Sequence, residues 1–133
     1  MRFKRIDHVE IIPLDIENTI SFYTEILGFT IRERVKVEVL QAMQGHTIEE
    51  VVYMTLGDTT IELIKVLDPT NTRPDPWGIG YRMIALEVDD MGESVEYLQD
   101  KGVAITFGPV TLGTAKRAEI TDPNGLRIEL REW

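Results

Sequence analysis

The chain has 133 residues with 23 Asp or Glu against 14 Lys or Arg, which gives a formal net charge of −9 at pH 7. Hydrophobic residues make up 43% of it, a composition typical of one compact folded domain and unlike that of a disordered or fibrous chain. The acidic balance argues against nucleic acid as a partner, and no run approaches the roughly 20 apolar residues of a membrane-spanning helix.

The absence of cysteine excludes disulfides and thiolate metal sites, and it favours the cytoplasm as the compartment. The apolar run after the basic first five residues is interrupted by Asp7, His8 and Glu10, unlike the core of a signal peptide. We therefore expect a cytoplasmic protein.

The first half of the chain predicts a strand, a helix and three further strands. Residues 6–14 are rich in Ile and Val and predict the first strand, and Asp15 is a candidate N-cap. Gly28 can end the helix in a left-handed conformation. Residues at helical spacing predict its buried face: Ile16, Ile20, Tyr23 and Leu27. The segments with strand character that follow are 29–39, 50–56 and 59–66.

The second half repeats this order. Residues 82–88 predict a strand, Asp90 a helix cap and Gly102 the helix end. Asp15 and Asp90 are 75 positions apart, and the same offset relates the apolar stripes of the two predicted helices, which indicates an internal duplication. The remaining predicted strands are 103–107, 115–121 and 126–132.

The fold class predicted from these elements is α+β, with two tandem βαβββ units in a single domain spanning residues 1–133. The first unit covers residues 1–67 and the second covers residues 81–133. A Pro- and Gly-rich linker, residues 68–80, joins them.

Two glutamates, Glu62 and Glu129, occupy matching mid-strand positions in the two repeats. A single Glu in the middle of a strand is more often exposed to solvent on an antiparallel sheet. The presence of Glu at the matching position of both repeats favours a functional site instead. Side chains alternate along a strand, so Glu129 shares a face with Arg127 and Arg131, opposite the apolar face.

The chain has only two histidines, so a histidine-rich site is excluded. His8 lies in the first predicted strand, and the 75-residue offset makes Met83 its counterpart. A single strand histidine is more often packed or exposed than a ligand. His46 lies in the polar segment 41–47, for which we predict a solvated loop.

The motifs together resemble the vicinal-oxygen-chelate superfamily, which includes glyoxalases, bleomycin resistance proteins and dioxygenases. The resemblance covers essentially the whole chain, and it implies a cupped mixed sheet with the helices on its outer face. The motifs are an opening Ile-Asp-His-Val, Phe22-Tyr23, Leu27-Gly28-Phe29, Ile-Glu-Leu-Ile at 61–64, the strand end 84–90, Asp-Pro-Asn-Gly at 122–125 and Ile128-Glu129-Leu130.

The resemblance implies one divalent metal ion, Zn, Ni, Mn or Fe, held by His8, Glu62 and Glu129. The fourth position of the family's pattern falls on Met83, where histidine is common, and a thioether is a poor ligand for these ions. The implied function is a lactoylglutathione-lyase-like lyase or isomerase that acts on a small oxygen-chelating substrate by proton transfer through an enediolate. Glu129 or Glu62 would move the proton. Dioxygenase chemistry ranks lower, because those members resemble two-histidine, one-carboxylate sites.

The alternative function is a metal-free small-molecule-binding protein of the bleomycin-resistance type. The candidate pocket residues for either function are Met83, Tyr81, Trp77, Met43, Met54, Arg127 and Arg131. The two arginines can anchor an anionic substrate or neutralise neighbouring carboxylates. Substrate identity would be set by segments such as 41–48 and 70–79, which carry no motif. The resemblance also implies a homodimer.

Overall fold

The computed structural model describes residues 2–43, 45–70, 72 and 75–133, with all of their side chains except those of residues 38–43. The chain divides into two compact units, Met1–Asn71 and Thr72–Trp133. The boundary falls inside the predicted linker, of which residues 71, 73 and 74 lie outside the described residues. Within the described part of the chain, no helix is long and apolar enough to cross a membrane.

The first unit is a four-stranded mixed sheet with one helix. Its strands lie in the order β1-β4-β3-β2, with β1 parallel to β4 and the other neighbours antiparallel. The elements are β1 Val9–Ile11, α1 Ile16–Ser21, a π-helical turn Phe22–Ile26, β2 Thr30–Met43, β3 His46–Leu56 and β4 Thr59–Val66.

The second unit repeats this plan. Its strands lie in the order β5-β8-β7-β6, with β5 parallel to β8 and the other neighbours antiparallel. The elements are β5 Ile84–Glu87, α2 Met91–Asp100, β6 Phe107–Leu112, β7 Ala115–Thr121 and β8 Arg127–Glu132. The prediction of an α+β fold with two tandem βαβββ units is confirmed.

The two helices begin as the sequence predicts. The Asp15 carboxylate accepts a hydrogen bond from the backbone N–H of Asn18 at 3.0 Å, and Asp90 accepts one from Glu93 at 2.9 Å. Each contact satisfies a backbone donor that has no partner in the first turn of a helix. Gly28 follows the first helix with a φ of +84°, a conformation that glycine adopts without steric cost.

Each unit has its own apolar core. In the first, Tyr23 is fully buried and packs edge-to-face against Phe22 and Phe29. In the second, Met91 and Leu98 of α2 are buried, and the helix contacts β7 and β8. The buried apolar sheet residues of the two cores are Ile11, Ile48, Val52, Met54, Ile61 and Leu63 in the first unit, and Ala115, Ala118, Ile120, Ile128 and Leu130 in the second.

The first strand of each unit is shorter than predicted. The 6–14 segment forms a strand only over Val9–Ile11, and the 82–88 segment only over Ile84–Glu87. Both strands are short because their parallel partners, β4 and β8, pair only with these residues. His8 and Met83 therefore lie just before the strands.

The segment 41–47 is not a loop, so that prediction is wrong. β2 continues to Met43, which pairs with His46 at the start of β3, and Gly45 has a φ of +87° between them. The described residues on either side of position 44 therefore belong to the ends of two paired strands. His46 is exposed, in agreement with a solvated position.

The strand predicted at 103–107 begins where it was expected to end. β6 covers Phe107–Leu112, and its register against β7 shifts between Phe107 and Val110. Gly108 lies at this bulge with a φ of +77°, and a Cβ there would be 2.7 Å from the Arg117 carbonyl oxygen. Glycine therefore permits the close approach of the two strands, although it resembles a strand breaker in the sequence.

Candidate metal centre and its counterpart in the second unit

The first unit brings three potential metal ligands to one face of its sheet. Glu10 of β1 lies opposite Glu62 of β4, and Tyr53 of β3 lies opposite Glu62 on its other side. Directly opposite residues share a face, so the side chains of Glu10, Glu62 and Tyr53 extend to the same side of the sheet. His8 precedes Glu10 by two residues, the spacing that returns a side chain to the same face.

The ligand atoms of His8, Glu10 and Glu62 all lie within 4.8 Å of one another. The His8 Nε2 atom is 3.1 Å from an oxygen of Glu10 and 3.3 Å from an oxygen of Glu62. Glu62 is buried at 8% exposure, whereas the side chains of His8 and Glu10 are more accessible. Glu62 therefore forms the buried base of the cluster, and the side formed by His8 and Glu10 is open to solvent.

The other ring nitrogen of His8 is held by Asp7. The Nδ1–H group donates to an Asp7 carboxylate oxygen at 2.9 Å, which directs Nε2 towards Glu10 and Glu62. The hydrogen bond with Asp7 has the largest effect on the pKa of His8 and that with Glu10 the second largest. Both raise this pKa above 6.5 because they favour the charged ring. A histidine oriented by a carboxylate on one nitrogen, with the other directed at further ligands, is the usual arrangement around metal ions.

Tyr53 orients the buried glutamate. Its hydroxyl forms a hydrogen bond with Glu62, and that bond, together with desolvation, raises the pKa of Tyr53 above 10.0. The phenol therefore stays protonated and donates to one carboxylate oxygen at neutral pH.

The donor set of the first unit fits a divalent cation. One imidazole and two carboxylates are ligands of the kind that Zn²⁺, Ni²⁺, Mn²⁺ and Fe²⁺ accept. Bonds of about 2.1 Å place neighbouring ligand atoms roughly 3.0 to 3.4 Å apart around a metal ion. The separations from His8 Nε2, 3.1 Å to Glu10 and 3.3 Å to Glu62, match that range.

The second unit has the same positions with different chemistry. Ala85 of β5 lies opposite Glu129 of β8, as Glu10 lies opposite Glu62. Glu129 is therefore the equivalent of Glu62, and Met83, two residues before Ala85, corresponds to His8. The expectation that the two glutamates occupy equivalent positions is confirmed.

Both oxygens of Glu129 are held by arginines. Arg117 contacts one oxygen at 2.8 Å and Arg131 contacts the other at 2.9 Å, while Arg117 also binds Glu119 at 2.7 Å. Arg127 lies 3.8 Å from Glu119. Glu129 is 8% exposed, so a solvent-exposed role is wrong for it as for Glu62. We call Arg117, Arg131, Glu119 and Glu129 the arginine–glutamate cluster.

Arg127 and Arg131 thus neutralise carboxylates in this structure. Met83 lies among cations, with its sulfur 3.2 Å from Arg82 Nη1 and 4.0 Å from Arg117 Nη2. Positive groups around the Met83 and Glu129 positions disfavour a cation there. The two units therefore present opposite electrostatic environments at equivalent positions.

The other predicted pocket residues have different locations. Met54 is fully buried and lies opposite Ile61, so it belongs to the core face and not to the Glu62 face. Trp77 and Tyr81 are exposed in the second unit, and the Arg82 guanidinium stacks on Trp77 at 3.9 Å. The side chain of Met43 lies outside those that the structure describes.

Five residues of these clusters were not predicted from the sequence: Asp7, Glu10, Tyr53, Arg117 and Glu119. Glu10 had a visible signal, because it follows His8 by two residues in a predicted strand. Asp7, Tyr53 and Arg117 act through local or cross-strand contacts. For Tyr53 and Arg117 the sequence held no signal, because the strand register determines which glutamate each side chain contacts.

The chain matches the family model described as the Glyoxalase/Bleomycin resistance protein/Dioxygenase superfamily over residues 5–130. It belongs to this superfamily.

Particular relatives support the assignment along the whole chain. The chain is 32% identical over 130 residues to protein YaeR of Escherichia coli (strain K12), covering 97% of this chain and 96% of that protein. It is 31% identical over 123 residues to the lactoylglutathione lyase of Escherichia coli O157:H7, covering 89% and 84%. The crystal structure of a glyoxalase family protein from Enterococcus faecalis aligns with a TM-score of 0.79 at 27% identity, covering 99% of this chain and all of that one.

Proposed function

We propose that the chain is a metal-dependent lyase or isomerase of the glyoxalase kind, acting on a small substrate that has a carbonyl and a neighbouring oxygen. The observation that carries the proposal is the convergence of the His8, Glu10 and Glu62 ligand atoms within 4.8 Å on one sheet face. The similar lactoylglutathione lyase supports the reaction class.

His8, Glu62 and Glu10 would hold the ion, with Asp7 orienting the imidazole and Tyr53 orienting the Glu62 carboxylate. A divalent ion bound there would act as a Lewis acid on substrate oxygens and favour loss of the proton beside the carbonyl. The exposed side of the cluster, formed by His8 and Glu10, leaves room for a substrate to approach.

We propose Glu129 as the proton-transfer group, because it is the second repeat's counterpart of Glu62 and lies outside the three-ligand cluster. Arg117 and Arg131 each contact one oxygen of its carboxylate and so fix the orientation of that group. One of these two ion pairs must open for an oxygen to take up a proton.

The test is the turnover of lactoylglutathione by tag-free protein loaded in turn with Zn²⁺, Ni²⁺, Mn²⁺ or Fe²⁺. We expect turnover that a chelator abolishes and metal restores. Glu129→Gln is expected to lower kcat by roughly 100-fold while metal affinity stays unchanged. His46→Ala, at the exposed second histidine, is the matched control and should behave as wild type.

A second candidate function is metal-free binding of a small molecule. The engaged oxygens of Glu129 and the thioether at position 83 favour it, because both disfavour a cation in the second unit. Failure of every metal to support turnover, with no metal affinity in calorimetry, would contradict the enzyme proposal and assign the binding role.

A further inference from the structure

One arginine of the second unit, Arg82, differs from its neighbours in its contacts. Arg82 lies just before β5 and is partly buried, and its Nε atom is buried without a hydrogen-bond partner. Its Nη1 donates to the Met83 sulfur at 3.2 Å, and a thioether is a weak acceptor. Among the residues that the structure describes, no carboxylate forms an ion pair with Arg82.

The other arginines of the same sheet are paired. Arg117 binds Glu119 and Glu129, Arg131 binds Glu129, and Arg127 lies 3.8 Å from Glu119. The chain has 23 acidic residues against 14 basic ones, so carboxylates are not scarce. Within the described part of the chain, the lack of an acidic partner for Arg82 is therefore specific to its position.

A second guanidinium lies close to the first. Arg117 Nη2 is 4.0 Å from the same Met83 sulfur, and the Arg117 Nε atom is also buried without a hydrogen-bond partner. Glu119 and Glu129 neutralise the charge of Arg117, so among the described residues Arg82 is the guanidinium of this pair that lacks an acidic partner. An anion beside Arg82 would supply a charged acceptor for it.

The remaining contact of Arg82, with Trp77, uses none of its N–H donors. The guanidinium carbon is 3.9 Å from the centre of the Trp77 ring, so the indole covers one flat face. Guanidinium donors point outward in the plane of the group, and stacking does not consume them. Trp77 itself is fixed by its backbone N–H, which donates to Asp75 at 2.9 Å.

We propose that Arg82, stacked on Trp77, binds the carboxylate or phosphate group of a small anionic ligand. The site belongs to the second unit alone. It needs no metal ion, so it goes beyond the proposed function and stands or falls separately from it.

The experiment is a fluorescence titration of chelator-treated protein carrying Trp133→Phe, in which Trp77 is the only remaining tryptophan. The probes are succinate, inorganic phosphate and the uncharged succinamide. We expect saturable quenching or enhancement with at least one of the two anions and none with succinamide. The anion that binds identifies the group recognised.

Variants locate the site. Arg82→Gln should weaken anion binding at least tenfold, and Arg82→Lys should weaken it less, because it keeps the charge but loses the planar fork. Arg127→Gln removes the same charge from a paired arginine on the same sheet and should bind as the parent does. Circular dichroism confirms that each variant is folded.

Two results would overturn the proposal: no saturable response to either anion, or equal affinities in the Arg82→Gln and Arg127→Gln proteins. Neither result bears on the metal ligands, because the titration is done without metal. If the two sites are independent, the His8→Ala protein should lose metal binding but keep the anion affinity of the parent protein.

Discussion

Replacing Arg117 should reveal how strongly the arginine–glutamate cluster stabilises the second unit. In Arg117→Met the Glu119 and Glu129 carboxylates lose the guanidinium at 2.7 and 2.8 Å. All three side chains are largely buried, with exposures of 17%, 6% and 11%. Removing one partner of a buried pair typically destabilises a protein by about 3–5 kcal/mol, because the other charge is left uncompensated.

Two remaining contacts reduce this figure. Arg131 still holds Glu129 at 2.9 Å, and Arg127 lies 3.8 Å from Glu119. We therefore expect a loss of about 2–3 kcal/mol in the free energy of unfolding, measured by urea titration of metal-free protein.

The control is Arg127→Met, whose side chain is 41% exposed, and it should lower the free energy of unfolding by less than about 1 kcal/mol. Adding Glu119→Gln to Arg117→Met should recover part of the loss, since it removes one of the stranded charges. Equal, small effects of the Arg117 and Arg127 replacements would refute the assignment of Arg117 as the centre of the cluster.

Four further predictions extend the account, three from the structure and one from the family resemblance. Asp90→Ala removes the cap of α2 and should lower the free energy of unfolding by about 1 kcal/mol, measured by urea titration, with Asp89→Ala as the neighbouring control. In metal-free protein, His8 should titrate above 6.5 in an NMR experiment, and Asp7→Asn should lower its pKa. Since this folded-state pKa is raised, the stability that His8 adds relative to His8→Gln should be fully present below pH 6.5 and lost as the pH rises through the folded pKa. Analytical ultracentrifugation at micromolar concentration should give the mass of a homodimer, and a mass near 15.2 kDa would contradict the homodimer that the family resemblance implies.

Much of the fold was predictable because it depends on local signals. The strands Thr59–Val66 and Ala115–Thr121 have the predicted bounds, since turn residues precede and follow each of them in the sequence. The 75-residue offset also holds, because it places Ala85 opposite Glu129 as Glu10 lies opposite Glu62. The bounds of β6 were missed, because the position of a bulge at Gly108 depends on the backbone of its neighbour.

The candidate site was predictable only in part. His8 and Glu62 follow from the resemblance, and alternation along the strand would have added Glu10. The arginine pairing of Glu129 depends on which residues of β7 lie beside β8, and sequence alone offered both roles for Arg131. Charge composition cannot distinguish a neutralised carboxylate from a free one.

The central claim is that His8, Glu10 and Glu62 form the metal-binding centre, and isothermal titration calorimetry of chelator-treated, tag-free protein with Zn²⁺ and Ni²⁺ tests it most directly. We predict one ion per chain, with affinity reduced at least roughly 100-fold in His8→Ala and in Glu62→Gln. Affinity in His46→Ala should equal that of wild type. Unchanged affinity in His8→Ala, or equal losses in the two histidine variants, would contradict the account.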